Sequence, residues 1–113
     1  MESQMKLNDE RKRLLAKFQQ ALPEVTHAEY TLLSEVYKEG ALSTKIKRLI
    51  ALAIGLRVGC INCILAQTMS ALDAGATKEE ILETLAVEIA MTGTTGIAWS
   101  VRVIQLLDEL GTL

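Results

Sequence analysis

From Leu49 to Leu56 every position is apolar or glycine. The run is too short to span a membrane and reads as a helix buried nearly all round. Gly59 breaks it, and Ile61, Leu65, Met69 and Leu72 then recur at helical spacing up to Gly75, where a left-handed C-cap is expected. Upstream, Met1 to Asp9 reads as a frayed start. A first helix follows from Glu10 to Leu22, with Leu14, Leu15, Phe18, Ala21 and Leu22 on its apolar side, and Pro23 ends it. Thr26-His27-Ala28-Glu29 has the form of a capping box opening a second helix, which carries Leu32, Leu33, Val36 and Tyr37 and stops at Gly40. Ser43 is the natural N-cap of the apolar third helix, and the fourth begins at the cysteines.

Thr77-Lys78-Glu79-Glu80 is a further capping box for a fifth helix containing Ile81, Leu82, Leu85, Ala86, Ile89 and Ala90 and ending near Gly93. The sixth helix, roughly Thr95 to Leu110, places Trp99, Val103, Leu106 and Leu110 on one stripe and Ile97, Val101 and Ile104 on another. A terminal helix that is apolar on most sides needs two burying surfaces, and subunit contacts are the expected second. The pattern predicts an all-α protein of about six helices, with residues 1–113 forming a single domain without internal repeats.

Composition supports this reading. Half of the 113 residues are hydrophobic but only 4% are aromatic, and there is one proline, which suits closely packed helices and argues against disorder. The formal charge of −2 comes from interspersed signs. Arg11-Lys12-Arg13 is the only basic run and reads as a solvated helix face, so no nucleic-acid partner is expected. The polar N-terminus has no apolar signal segment, and a cytoplasmic chain with no membrane partner is expected. In the cytoplasm a CxxC is more often catalytic or metal-binding than a structural staple.

Both cysteines fall in Cys60-Ile61-Asn62-Cys63. Two thiols at this spacing can close a disulfide if the first opens a helix, and the free N–H groups of a helix start stabilise a thiolate. On that ground Cys60 should be the more exposed and more acidic thiol. Cys60, Cys63 and Gln67 share one helix face, which makes Gln67 the motif's nearest expected neighbour. The plainer alternative is a pair of small buried residues. Zinc would require cysteines from two subunits, because one CxxC and the distant His27 do not supply four ligands. His27, in the first turn of a capped helix, is expected in solvent. Glu83 and Glu88 are further candidate acids. Glu88 stands among Ala86, Val87, Ile89 and Ala90 and is expected at a rim, since a buried carboxylate needs a partner.

Leu49 to Ala53, Gly59-Cys60-x-x-Cys63, Ala71-Leu72-x-Ala74-Gly75-Ala76-Thr77-x-Glu79-Glu80-Ile81 and the Met91-Thr92-Gly93 joint occur in this order and spacing. Through these residues the chain resembles the carboxymuconolactone decarboxylase family, and in particular its alkylhydroperoxidase-D-like branch, over a core of about residues 43–110. The resemblance implies small all-helical subunits assembled as trimers or hexamers, and a CxxC pair that reduces peroxides or disulfides without a cofactor. In that branch a Glu stands twelve residues before the first Cys and a His four after the second, forming a proton relay with the thiols. Here those positions hold Arg48 and Gln67. An amide cannot carry a proton at neutral pH and a guanidinium is always protonated, so the relay is absent, although a nearby cation stabilises a thiolate. At 1.5 Å per residue Arg48 lies roughly 15 Å from the end of its helix, so it reaches the cysteines only through a crossing helix or a neighbouring subunit. It is expected at a surface or interface.

The leading expectation is a thiol-disulfide redox protein. Its Cys60/Cys63 pair reduces a hydroperoxide or disulfide and is restored by a cellular dithiol. The alternatives are a decarboxylase-like enzyme, with Arg48, Arg57 and Arg102 as the cations available for carboxylates, and a non-catalytic oligomeric scaffold or redox-responsive binding protein. A homo-oligomer of at least three chains is expected, with the cysteines near a subunit boundary.

Overall fold

Six α-helices and no strands make up the computed structural model, which describes all 113 residues. They are α1 (Gln4–Ala21), α2 (Pro23–Val36), α3 (Thr44–Val58), α4 (Ile61–Asp73), α5 (Lys78–Thr92) and α6 (Thr94–Glu109). The core forms around α3, whose Leu49, Leu52 and Leu56 meet Ile64 and Ala71 of α4, Ile81 and Leu85 of α5, and Val103 and Leu107 of α6. Local chemistry sets the starts of these helices. The Ser43 hydroxyl accepts the Ile46 N–H at 3.1 Å, and Thr77 and Glu80 form the expected reciprocal box. Gly75 lies at φ 94° after α4, and Gly93 at φ 67° lets α6 follow α5 with no intervening loop.

The long apolar helix differs from its expected all-round burial. Leu49, Leu52, Gly55 and Leu56 are buried, whereas Ile46, Ile50, Ile54 and Val58, each one turn after the last, form an exposed line. The second stripe of α6 (Ile97, Val101 and Ile104) is exposed in the same way.

The first forty residues depart most from the sequence expectation. The chain is helical from Gln4 rather than frayed to Asp9, because the Ser3 side chain caps the Lys6 N–H at 3.1 Å. The buried residues of α1 are the polar Gln4 and Asn8, while Leu14, Leu15, Phe18 and Leu22 face solvent. The expected capping box at Thr26 and Glu29 is absent. Pro23, which lacks an N–H and has φ preset for helix, opens α2 three residues earlier. The Thr26 hydroxyl then donates to the Leu22 carbonyl at 2.8 Å, inside the helix. That helix ends at Val36 rather than Gly40. There the Lys47 ammonium of α3 donates to the carbonyls of Val36 and Lys38, each at 2.7 Å.

No residue of α2 is buried, so the α1–α2 hairpin leaves most of its apolar side chains uncovered. The chain exposes 6998 Å², against roughly 6,100 Å² expected from the surface scaling of monomers of its mass. No helix is long and apolar enough to cross a membrane.

The free end of α1 is tied down by the last residue of α6. Glu109 accepts the Ser3 hydroxyl, the Gln4 N–H at 2.8 Å, the Met5 N–H at 3.2 Å and the Gln105 amide at 3.1 Å. Gln4 is completely buried and accepts the Arg102 guanidinium at 3.3 Å. Led by the Ser3 hydrogen bond and helped by the two backbone N–H groups and Gln105, these contacts pull the Glu109 carboxyl from 4.5 down to about 2, with desolvation acting the other way. A depressed carboxyl stabilises the fold above its unfolded value and loses that contribution as pH falls toward its folded one. Melting followed by circular dichroism should therefore place Glu109→Gln below the parent protein at pH 7. The gap should close between pH 4.5 and about 2. A gap independent of pH would show that the carboxylate charge does not anchor α1.

Candidate functional site

The site is built where α3 ends and α4 turns back along it. Gly59 closes α3 in the left-handed region at φ 77°, and the Gly59 and Cys60 amides both donate to the Gly55 carbonyl, at 3.0 and 3.1 Å. A Cβ at Gly59 would lie 2.9 Å from the Trp99 ring, so the indole of α6 rests directly on the backbone preceding Cys60. Gly55 plays the matching part inside α3: a Cβ there would stand 3.2 Å from the Cys63 Cβ. The first turn of α4 can approach α3 this closely only because position 55 has no side chain.

Cys60 is the N-cap of α4, as its place in the sequence predicts, and its sulfur accepts the Cys63 N–H at 3.1 Å. The two cysteines are joined as a disulfide with their Cα atoms 5.2 Å apart, inside the usual range for such bonds. The expected exposure of the two is reversed. Cys63 is exposed and Cys60 is half-buried, because the N-cap lies in the corner between Gly59 and the first turn, and the bare Gly55 surface that Cys63 packs on leaves it uncovered on its other side. The cysteine whose sulfur takes the helix N–H and the more exposed cysteine are therefore different residues. The Cys63 amide is the only group hydrogen-bonded to either sulfur.

Arg48 and Gln67 meet. Because α4 runs back along α3, the Arg48 guanidinium donates to the Gln67 side-chain oxygen at 3.1 Å, within one chain. Arg48 is thus neither a free surface residue nor dependent on a neighbouring subunit for this contact, since the crossing helix is α4 itself. Its guanidinium also lies over the Tyr37 ring, 3.5 Å from the centroid. A guanidinium and a carboxamide form a stable hydrogen bond but pass no proton between them.

The other candidates lie apart from this arrangement. His27 is exposed on α2 beside Gln19, Pro23, Thr26 and Tyr30, and Glu83 is exposed on α5. Glu88 is buried rather than at a rim, because α6 starts directly over α5 with glycine at the contact. One Glu88 oxygen accepts the Thr92 hydroxyl at 2.8 Å, and the other, without a partner, would be 2.5 Å from a Cβ at Gly96. Arg57 is exposed in the last turn of α3. Arg102 is engaged with Gln4 and Glu2. Sequence reasoning missed Tyr37, Trp99 and Gly55 as parts of the site, because each acts through a contact with a different helix. The positive φ of Gly59 had a local signal in the helix break it makes.

The sequence profile of the carboxymuconolactone decarboxylase family matches residues 23–106. The chain belongs to the carboxymuconolactone decarboxylase family. The match begins before the expected core at residue 43 and so takes in α2. Relatives of this family member include an uncharacterized protein of Cupriavidus necator, 33% identical over 91 residues and covering 80% of each chain. Another is uncharacterized protein 4 in the cox locus of Paracoccus denitrificans, 31% identical over 86 residues, or 76% of this chain and 78% of the relative. The apo crystal structure of a carboxymuconolactone decarboxylase family protein from Legionella pneumophila superposes with a TM-score of 0.87 at 29% identity, covering 94% of this chain and 95% of the other. A Thermotoga maritima family member, for which involvement in an antioxidative response has been suggested, gives a TM-score of 0.73 at 26% identity, covering 94% and 96%. The six-helix arrangement described above is the all-α fold of this family.

Gly59→Ala tests how the corner is held. A Cβ forced into the left-handed region costs roughly 1–2 kcal/mol, and the indole must also move. The melting temperature should fall, and the emission of the chain's only tryptophan should shift to longer wavelength as Trp99 is pushed toward water. Unchanged emission would mean that the ring does not depend on the bare glycine surface.

Proposed function

We propose that this family member is a thiol-disulfide redox protein of the alkylhydroperoxidase-D-like type, in which Cys60 and Cys63 cycle between dithiol and disulfide. The observation that carries the reading is the pair itself, bonded across the N-cap of α4 with Cys60 on a helix N–H and Cys63 open to solvent. In the reduced state the same N–H, together with the positive end of the helix dipole, favours a thiolate. The antioxidative role suggested for the Thermotoga relative is in keeping with this chemistry. A cytoplasmic location, where dithiol reductants maintain a reducing poise, supplies the return step.

The Arg48–Gln67 pair bears on which substrate is preferred. Attack on a hydroperoxide expels an alkoxide or hydroxide, whose conjugate acid has a pKa of about 15.7 for water, so the leaving oxygen needs a proton in the transition state. Attack on a disulfide expels a thiolate, whose thiol has a pKa of about 8.5 and which leaves without prior protonation. With the carboxylate–imidazole relay replaced by two groups that hand on no proton, disulfide exchange is the better-served reaction. In it, two protein thiols become one disulfide while the substrate disulfide becomes two thiols. With a hydroperoxide ROOH, the same two thiols yield ROH and water.

Reduced protein should therefore lose both thiols to a small disulfide or to hydrogen peroxide without forming a covalent dimer, and faster with the disulfide. Thiol titration and a non-reducing gel read this directly. Intermolecular disulfides, or persistence of both thiols, would overturn the reading.

The assembly belongs to the same proposal. A homo-oligomer of at least three chains, a trimer or hexamer, accounts for the surface excess and would cover the α1–α2 hairpin, the Ile46-Ile50-Ile54-Val58 line and the second stripe of α6. Light scattering at micromolar concentration should give at least three times the chain mass of 12.4 kDa. A monomeric mass contradicts the assembly and leaves the thiol chemistry untouched.

A further inference from the structure

Arg48 has a half-buried guanidinium with no carboxylate within ion-pair distance, since the ion pairs of the chain join other residues. A guanidinium offers five N–H donors. One hydrogen bond, to Gln67, engages it within the chain. Its plane is meanwhile fixed by Tyr37 on one side and the Gln67 amide at the edge. Partial burial of a cation costs free energy that a facing anion would recover, and a fork held in one orientation loses little entropy on binding a carboxylate at two points. Gln67 stands one helical turn beyond Cys63 on the same face, and side chains so spaced have Cβ atoms about 5–6 Å apart. Through Gln67 the unmatched cation is tied to the helix that carries the exposed Cys63.

We propose that Arg48, held by Tyr37 and Gln67, is a binding site for the carboxylate of the substrate, and that the protein selects small disulfides that bear a carboxylate. This rests on the thiol-disulfide reading above. One protein thiolate attacks a substrate sulfur, the substrate S–S bond breaks and a carboxylate-bearing thiolate leaves. The second cysteine then attacks the mixed disulfide, closing Cys60–Cys63 and releasing the other half of the substrate as a thiolate, with the two thiol protons passing to water. Two electrons move from the cysteine pair to the substrate. Arg48 grips the end of the substrate that does not react.

The test uses the reduced protein in single-turnover exchange with two aromatic disulfides. One is 5,5′-dithiobis(2-nitrobenzoate), with a carboxylate on each ring, and the other is the uncharged 4,4′-dithiodipyridine. Arg48→Gln should slow the dicarboxylate roughly tenfold or more, the usual size of a charge-assisted hydrogen bond, and change the neutral probe less than about twofold. Arg48→Lys should recover part of the difference. Lys12→Gln, which removes the same charge from the exposed side of α1, should leave the ratio of the two rates unchanged. Equal slowing with both probes would mean that Arg48 acts on the thiolate and not on the substrate, and no slowing with either would mean that it does neither. Both results overturn the proposal, as does a loss of subunits in Arg48→Gln, which would assign the guanidinium to a neighbouring copy.

A second measurement separates this proposal from the redox reading. Titration of the disulfide form with benzoate should shift the arginine Nε–H resonance that disappears in Arg48→Gln. An unmoved resonance removes the carboxylate site whatever the thiols do. A moved resonance with thiols inert to both probes removes the redox reading and leaves the site.

Discussion

The return of α4 along α3 depends on two residues without side chains. Gly59 takes the left-handed turn that reverses the chain, and Gly55 lets the first turn of α4 come within van der Waals contact of α3. Any Cβ at either place meets Trp99 or Cys63. Because the reversal is tight, Cys60 falls at an N-cap, Cys63 is held one turn further on, and Gln67 arrives opposite Arg48. The same close contact lets Leu52, Leu56 and Ile64 share one buried cluster. Core packing and site geometry therefore follow from one constraint.

At that site the polar groups are divided in an informative way. The half-buried Cys60 has a backbone donor on its sulfur, and Cys63 is exposed. Arg48 and Gln67, one on each helix, are hydrogen-bonded across the gap in a contact that passes no proton. The guanidinium is at the same time stacked on Tyr37, 3.5 Å from the ring centroid.

Away from the site, the molecule is held together unevenly. The α3–α6 core is apolar and well covered, whereas α1 is fastened mainly by polar contacts: Glu109 at its N-terminal N–H groups, and Arg102 on the buried Gln4. Leu14, Leu15, Phe18 and the side chains of α2 contribute little to the interior of a single chain. Hydrophobic burial within the chain thus stabilises the part that carries the cysteines. The hairpin presents its apolar faces outward, where a second surface has most to offer them.

Much of this was legible in the amino-acid order, and the division follows the range of the interactions. Ser43, Cys60 and Thr77 as helix starts, the breaks at Gly59, Gly75 and Gly93, and the two stripes of α6 are decided within a few residues, by caps, by positive φ and by helical periodicity, so the sequence alone determined them. At Thr26 a local signal pointed the wrong way, because Pro23 competes for the same helix start and its preset φ wins. Residues distant in sequence decided the rest. Glu109, from the other end of the chain, holds in place the helix start that the Ser3 cap opens. Glu88 is buried because Gly96 lets α6 sit against it, and Arg48 finds Gln67 and Tyr37 because α4 crosses back and α2 ends where Lys47 caps it. Helical spacing states which residues share a face but not what that face meets. The closeness of Arg48 to the cysteine helix and the reversed exposure of Cys60 and Cys63 were therefore settled only when the helices packed.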